Sequence, residues 1–272
     1  FLKRVDLADR GGAWRDYLAS TRSAMEEVAG ELFGAEVPES TGPSVELVDF
    51  DPDAETKAVA AMLYPYVSMA ESDLEARVAA MSSDDRLAVV RAYAGERSNR
   101  RYRPGRALER PFYRFDVLAD YGAFRDLQRH RMLTIDWQAL TPHHGYDLPE
   151  TVQAAGVADR FMDAMERSAA LFGDLEGRFG TPQASYAVAL AYRIRFSMNL
   201  NAREAMHLLE LRSGPQGHPA YRTVAQQMHR LIAEEAGHRA LAELMCFVDH
   251  SPEPRLERLD AERRAEQRRL GT

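Results

Sequence analysis

Apolar residues recur at helical spacing over residues 13–33, where Trp14, Tyr17, Leu18, Met25, Val28 and Leu32 share one side of a predicted helix. Residues 34–43 then read as a connector. A different rhythm follows. Residues 45–50 are short, rich in β-branched side chains and partly alternating. They stop at Asp51-Pro52, a pair suited to cap and open a helix, so strand then helix is expected. Ser82-Ser83-Asp84-Asp85 caps another helix reaching about Tyr93, and the basic segment 97–106, broken by Pro104-Gly105, reads as a loop. Residues 111–117 suit an extended segment, residues 119–131 a helix, and the stretch to Pro149 a long ordered loop. Helical periodicity returns over residues 150–179 through Val152, Val157, Phe161, Met165, Leu171, Phe172 and Leu175. Residues 192–200 alternate cleanly, with Tyr192, Ile194, Phe196, Met198 and Leu200 on one face, and give the clearest strand in the chain. Asn201 then caps a helix to about Arg212, and the turn over residues 214–219 leads into a further long helix.

Helices dominate and the strands lie far apart in sequence, which predicts an α+β fold rather than a doubly wound βαβ sheet. Three regions are expected: an N-terminal helix and connector (1–43), a main domain (44–250) and a charged tail (251–272). The start at Phe1 is expected of a processed or partial chain. The composition fits a soluble globular protein, with 272 residues, 45% hydrophobic and 28% charged. A net charge of -7 argues against a general polyanion-binding surface but leaves room for a local basic pocket. A lone cysteine, Cys246, excludes an intrachain disulfide and favours a reducing, cytoplasmic setting. No stretch approaches the roughly 20 apolar residues that span a bilayer.

Two clusters carry candidate chemistry. Arg129-His130-Arg131 would fan three basic side chains around the end of a helix, where two guanidiniums can hold phosphates while the ring meets another ligand group. Asn201, Arg203 and His207 stand where a strand feeds a capped helix, a place that suits an anion or a heterocycle, and Arg212 closes the same helix. Each cluster also has a plain structural reading, as dipole-favoured cations and a routine cap. Glu235 and His238 have di-iron spacing without a second pair, and His143-His144 with Asp147 lacks a further ligand, so no metal is expected. The basic run 97–106 with Tyr102 would suit single-stranded nucleic acid, but it is one short segment in an acidic chain.

Taken together, Arg129-His130-Arg131 and Asn201-Ala202-Arg203 with Leu211-Arg212 resemble the flavin-dependent thymidylate synthases, the ThyX family. The resemblance covers about residues 45–248. It implies a helix-rich fold with a small, mostly antiparallel sheet packed against long helices, and a homo-oligomer. It also implies FAD as cofactor and reductive methylation of dUMP to dTMP, or of a related pyrimidine nucleotide, with NADPH and methylenetetrahydrofolate as co-substrates. Carried over by position, Arg129, His130, Arg131, Asn201, Arg203 and His207 would bind the flavin. Arg129, Thr134 and Arg212 would bind the nucleotide, with Arg212 stabilising negative charge on the pyrimidine.

The sequence departs from the family pattern mostly on the nucleotide side. Thr134 and Asp136 stand for Ser and Asn, Trp137 for Glu, Ala139 for Ser, and Thr141-Pro142 for Arg-Tyr. Asp126 replaces Gln, Glu109-Arg110 replaces a Glu-His pair, and residues 186–189 replace an Arg-x-x-Leu-Pro string. Besides an active enzyme, the sequence therefore admits a catalytically degenerate domain with an assembly role, such as one beside a tandem ThyX-like partner domain. A nucleic-acid-binding module is a more distant third reading.

Overall fold

The computed structural model describes residues 7–34 and 42–251, together with positions 262, 263, 266, 267 and 269. Most of the expected connector and charged tail lies outside the described residues. The chain divides into two compact units, residues 1–40 and 41–272. The first holds one long helix, α1 (Leu7–Phe33), whose Trp14, Tyr17, Leu18, Met25, Val28 and Leu32 are all exposed.

The second unit is built on a four-stranded antiparallel sheet, β1 (Ser44–Phe50), β2 (Phe112–Asp120), β3 (Leu133–Trp137) and β4 (Arg193–Asn201), in the order β1-β2-β4-β3. Alternation decides which side of each strand is buried. Tyr113, Phe115 and Val117 of β2 and Ile194, Phe196, Met198 and Leu200 of β4 point into the main core. Arg114, Asp116, Arg195, Ser197 and Asn199 occupy the intervening positions. On that side Arg114 pairs with Asp49 at 3.1 Å and Arg195 with Asp116. The register slips between Leu47 and Asp49, which leaves Val48 unpaired and exposed in a bulge of β1.

Helices cover the apolar side. After β1 come α2 (Ala54–Leu63), α3 (Glu71–Ala79) and α4 (Ser83–Ala94), the last capped by Ser82 Oγ accepting from Asp85 N at 3.1 Å. Asp51 does not cap α2. Its carboxylate accepts from Asp53 N and binds Lys57 at 2.8 Å, and Asp53 takes the cap position. Helices α5 (Tyr121–Leu127), α9 (Ala202–Arg212), α10 (Pro219–Glu234) and α11 (Arg239–Leu244) complete the core with Phe124, Met206, Leu209, Val224, Met228, Ile232 and Leu241. A smaller cluster of Met165, Phe172, Ala184, Val188 and Tyr192 is built by α7 (Ala158–Phe179) and α8 (Thr181–Ala184), after the short α6 (Glu150–Ala154). One continuous helix was expected over residues 150–179. Gly156, at φ +69°, separates α6 from α7 because that left-handed conformation cannot continue a helix.

Two further expectations are corrected. The helix expected over residues 119–131 is only α5, because β2 runs on to Asp120 and the chain turns after Leu127. The loop expected up to Pro149 contains β3, held by pairing with β4 from Leu133↔Leu200 to Trp137↔Phe196.

Candidate functional site

The site grows from two places where the sheet hands the chain to a helix. Asp120 ends β2 and caps α5, its Oδ1 accepting from Ala123 N at 2.7 Å. Burial, the largest influence, holds this carboxyl above its ordinary range. His130 N bonds back to Leu127 O at 3.1 Å, so Arg129-His130-Arg131 lies in a turn beyond the helix, not fanned around it. The turn buries the imidazole and leaves Arg129 and Arg131 exposed. Arg129 reaches only Asp126, at 3.8 Å.

The second handover is β4 to α9, with no residue between them. Asn201 caps α9 by accepting from Glu204 N at 2.9 Å, and the first turn of the helix then presents Glu204 and His207 three residues apart, on one face. The two handovers meet at His130. Its Nδ1 lies 2.8 Å from Glu204 Oε1, and its Nε2 accepts from Arg212 Nε at 3.1 Å. An arginine has no lone pair to offer, so these partners assign the ring proton to Nδ1, where it is donated to Glu204. Arg212 also donates through Nη2 to Asp126 O at 2.6 Å and through Nη1 to Asp126 Oδ1 at 3.4 Å, and it lies over the Tyr221 ring.

His207 stands beside this group, 5.3 Å from His130 between ring centres. Burial pushes its pKa below the ordinary histidine value, Arg103, His130 and Arg100 push it the same way, and Glu204 opposes them. The ring is therefore neutral at pH 7. The influence of Arg100 and Arg103 reveals that the basic loop 97–106 comes close to the site. One end of that loop is fixed by Arg97, which grips Glu210 of α9 through two 2.7 Å contacts and donates to Leu244 O and Tyr102 O, each at 2.8 Å. The other end is held by Arg203, which donates to Pro104 O and to Glu109 Oε1, each at 3.3 Å. Arg203 thus serves the loop and makes no hydrogen bond to His130.

His130, Glu204 and His207 bring ligand atoms within 4.8 Å of one another, a set able to hold a metal ion. Both ring nitrogens of His130 are already engaged, and the Arg212 guanidinium adjoins the group, so a divalent cation would meet a fixed positive charge. The cluster is better matched to an anionic or hydrogen-bonding ligand. Thr134 is exposed on β3 opposite Asn199 and makes no hydrogen bond to the cluster. Of the other sequence candidates, His238 Nδ1 lies 3.1 Å from the Tyr113 hydroxyl, and Asp147 accepts from Arg193 Nε at 3.0 Å. Both are structural contacts. Glu204 and Glu210 were not singled out in the sequence; the i,i+3 spacing of Glu204 to His207 was the signal available for the first.

Residues 46–237, more than half of the chain, match the family described as thymidylate synthase complementing protein. The chain belongs to that family. A UPF0159 protein of Chlamydia pneumoniae is 38% identical over 248 residues, covering 90% of this chain and 46% of the relative. A UPF0159 protein of Thermoplasma acidophilum is 36% identical over 207 residues, covering 76% of this chain and 41% of the relative. The chain spans about half the length of the curated relatives it matches. Among solved structures, the UMP/dUMP methylase PolB from Streptomyces cacaoi, bound with 5-Br dUMP, superposes with a TM-score of 0.57 at 20% identity, over 78% of this chain and 100% of that one. ThyX from Helicobacter pylori, complexed with FAD and dUMP, gives 0.53 at 18% identity, over 74% of this chain and 98% of that one. These similarities establish a ThyX-like α+β fold in a divergent member of the thymidylate synthase complementing family. Among the described residues no helix is long and apolar enough to cross a membrane.

Proposed function

We propose that this domain binds FAD and a pyrimidine nucleotide at the His130 cluster and takes part in reductive methylation of the pyrimidine, with dUMP as first choice and UMP as its relative. The observation that carries the reading is the junction of His130, Glu204 and Arg212, which draws the two family-like motifs into one polar, largely buried centre. The residues fit an anionic cofactor. Arg100, Arg101 and Arg103 are exposed, with no carboxylate among the described residues bound to their side chains, along the loop that nears His207. A bound flavin supplies hydride-transfer chemistry, with methylenetetrahydrofolate as carbon donor and NADPH as reductant.

In this reading the loop arginines and Arg129 attract and hold phosphate groups. The neutral His207 ring and the Asn201 amide offer hydrogen bonds to a heterocycle. Arg131 lies beside His130 at the rim, Thr134 hydrogen-bonds the nucleotide from β3, and Arg203 orders the loop that faces the cofactor. Arg212, the catalytic group proposed here, places a fixed cation where negative charge develops on the pyrimidine ring, and Glu204 keeps His130 in the tautomer that accepts from Arg212. A homo-oligomer or a second ThyX-like domain would complete the surroundings of the exposed arginines, in a reducing cytoplasmic setting.

A second reading has a specific observation behind it. Arg212 is already satisfied by His130 and Asp126, the residue that replaces the family's Gln, so nucleotide binding must break an internal contact. That favours a degenerate domain retained for assembly. The visible spectrum of the purified protein, followed by tritium release from ring C5 of labelled dUMP, separates the two. Yellow protein with release supports the enzyme, yellow protein without release supports a domain that has lost turnover, and colourless protein that fails to take up added FAD overturns the flavin-binding reading and leaves the assembly role.

A further inference from the structure

A second basic site lies between α10 and residues 249–251. A cleft of about 320 Å³ is lined by Arg222, Thr223, Gln226, Arg230, His250 and Ser251, with Pro219 its single apolar contributor. Arg222, Gln226 and Arg230 follow one another at i, i+4 and i+8 and so form one stripe along α10. Gln226 Nε2 donates to Asp249 O at 2.9 Å and to Ser251 O at 3.3 Å, which straps the 249–251 segment against that stripe.

The telling residue is Arg222, only 2% exposed. Burying a guanidinium is costly unless an anion compensates it, and the other buried arginines obey that rule. Arg97 grips Glu210 with both ends of its fork, and Arg193 binds Asp147. Arg222 has only neutral hydrogen-bond partners: Ser213 O at 2.8 Å from Nε, and Ser251 Oγ and O at 3.3 and 3.4 Å from Nη2. Its counter-ion, Asp249, is held only in a long ion pair, 3.9 Å from Nη2, and the same carboxylate oxygen is bonded by Ser251 N at 2.7 Å, so the guanidinium is weakly compensated compared with Arg97. Arg230 is exposed and forms no ion pair among the described residues.

The histidine beside it adds a third donor. His229 Nε2 meets Ala242 O at 3.1 Å, which must accept, so His229 Nδ1 is the acceptor for His250 Nε2 at 2.9 Å. His250 Nδ1 is then the position left to take a proton. Burial holds both rings below the ordinary histidine value; His229 and Arg230 push His250 further down while Asp249 opposes them, and Glu210 opposes the effect of Arg230 on His229.

We propose that this cleft is a binding site for a phosphate group, lined by none of the residues proposed for the flavin and the nucleotide, with Arg222 as its buried anchor and Arg230 and His250 as its exposed rim. The paucity of apolar lining excludes a stacked base, so the ligand class is inorganic phosphate or the phosphate of a small, polar monoester. For an anion of fixed charge, binding tightens as the solution is acidified, because the anion favours protonation of His250 at Nδ1.

The test is calorimetric titration of the whole chain with inorganic phosphate, and separately with glycerol phosphate, at about pH 8, and with sulfate, whose charge is constant, at about pH 6 and pH 8, all under constant chloride. Saturable phosphate binding is expected, with whichever ligand binds more strongly identifying the free or esterified source, and sulfate should bind more tightly at the lower pH. Arg230→Ala removes an exposed side chain without a partner, so the fold is kept; it should weaken binding at least about tenfold. Arg222→Gln should abolish binding, and a circular dichroism spectrum reports whether that variant folds. Saturating dUMP should leave the phosphate affinity unchanged, which keeps this result separate from the fate of the His130 site. Absence of saturable binding, or equal affinity in Arg230→Ala, overturns the proposal.

Discussion

Glu210→Ala tests whether the loop beside the candidate site is held in place by a buried charge. The Arg97 and Glu210 side chains are 3% and 2% exposed, and two 2.7 Å contacts join them. Removing the carboxylate leaves a buried guanidinium without a counter-ion, at a cost of about 3–5 kcal/mol. Arg97 keeps Leu244 O and Tyr102 O as acceptors and stays over the Phe247 ring, so the lower end of that range, about 3 kcal/mol, is expected. Urea unfolding of the whole chain gives the number directly. Arg97→Met with Glu210→Leu should recover most of the loss, because well-packed apolar replacements of a buried pair are close to neutral. A loss below about 1 kcal/mol in Glu210→Ala, or a double variant as unstable as the single one, would refute the charge argument. A second readout follows the loop itself. Arg100 and Arg103 help to depress the His207 pKa, so freeing the loop should raise that pKa in an NMR titration.

Asn201→Ala removes the acceptor for Glu204 N and should cost about 1 kcal/mol by thermal or urea unfolding; a change under a few tenths would show that the cap carries no weight. Arg212→Met takes the donor from His130 Nε2 while Glu204 still accepts from Nδ1, so nitrogen chemical shifts should show Nε2 changed and the proton still on Nδ1; a mixture of tautomers would contradict the role given to Glu204. Stability should fall on the acid side. His144, His207, His229, His238 and His250 all lie below the ordinary value, so below about pH 6.5 the unfolded chain takes up protons that the folded chain refuses. The stability they contribute is complete above that pH and declines as pH drops toward their folded values. A melting temperature that does not fall between about pH 7.5 and 5.5 would contradict this account.

The parts of the fold that were legible in the sequence are those whose signals are local. The alternation of β4 and the Asn201 cap of α9 lie within a few residues of each other, and both elements are found there. Strand β3 was missed because Leu133-Thr134-Ile135-Asp136-Trp137 is five residues long, and its extended state comes from pairing with β4 some 60 residues later. At the candidate site, residue type drew attention to the arginines of the 129–131 triplet, whereas the turn after α5 turns the imidazole inward and leaves both guanidiniums exposed. Glu204 and Glu210 looked like ordinary helix-surface acids; their partners, His130 and Arg97, are 74 and 113 residues away, and nothing local announces them.

The seamless passage from β4 into α9 has a consequence for how this domain can vary. With no spacer at Asn201, one residue inserted there would rotate the helix by about 100° and swing Glu204 away from His130. The turn that carries His130 has slack on both sides, between Leu127 and Leu133, and can absorb a change in length. Insertions and deletions should therefore be tolerated on the α5 side of the site and abolish it on the β4 side, so the strand acts as the ruler against which the rest of the centre is measured.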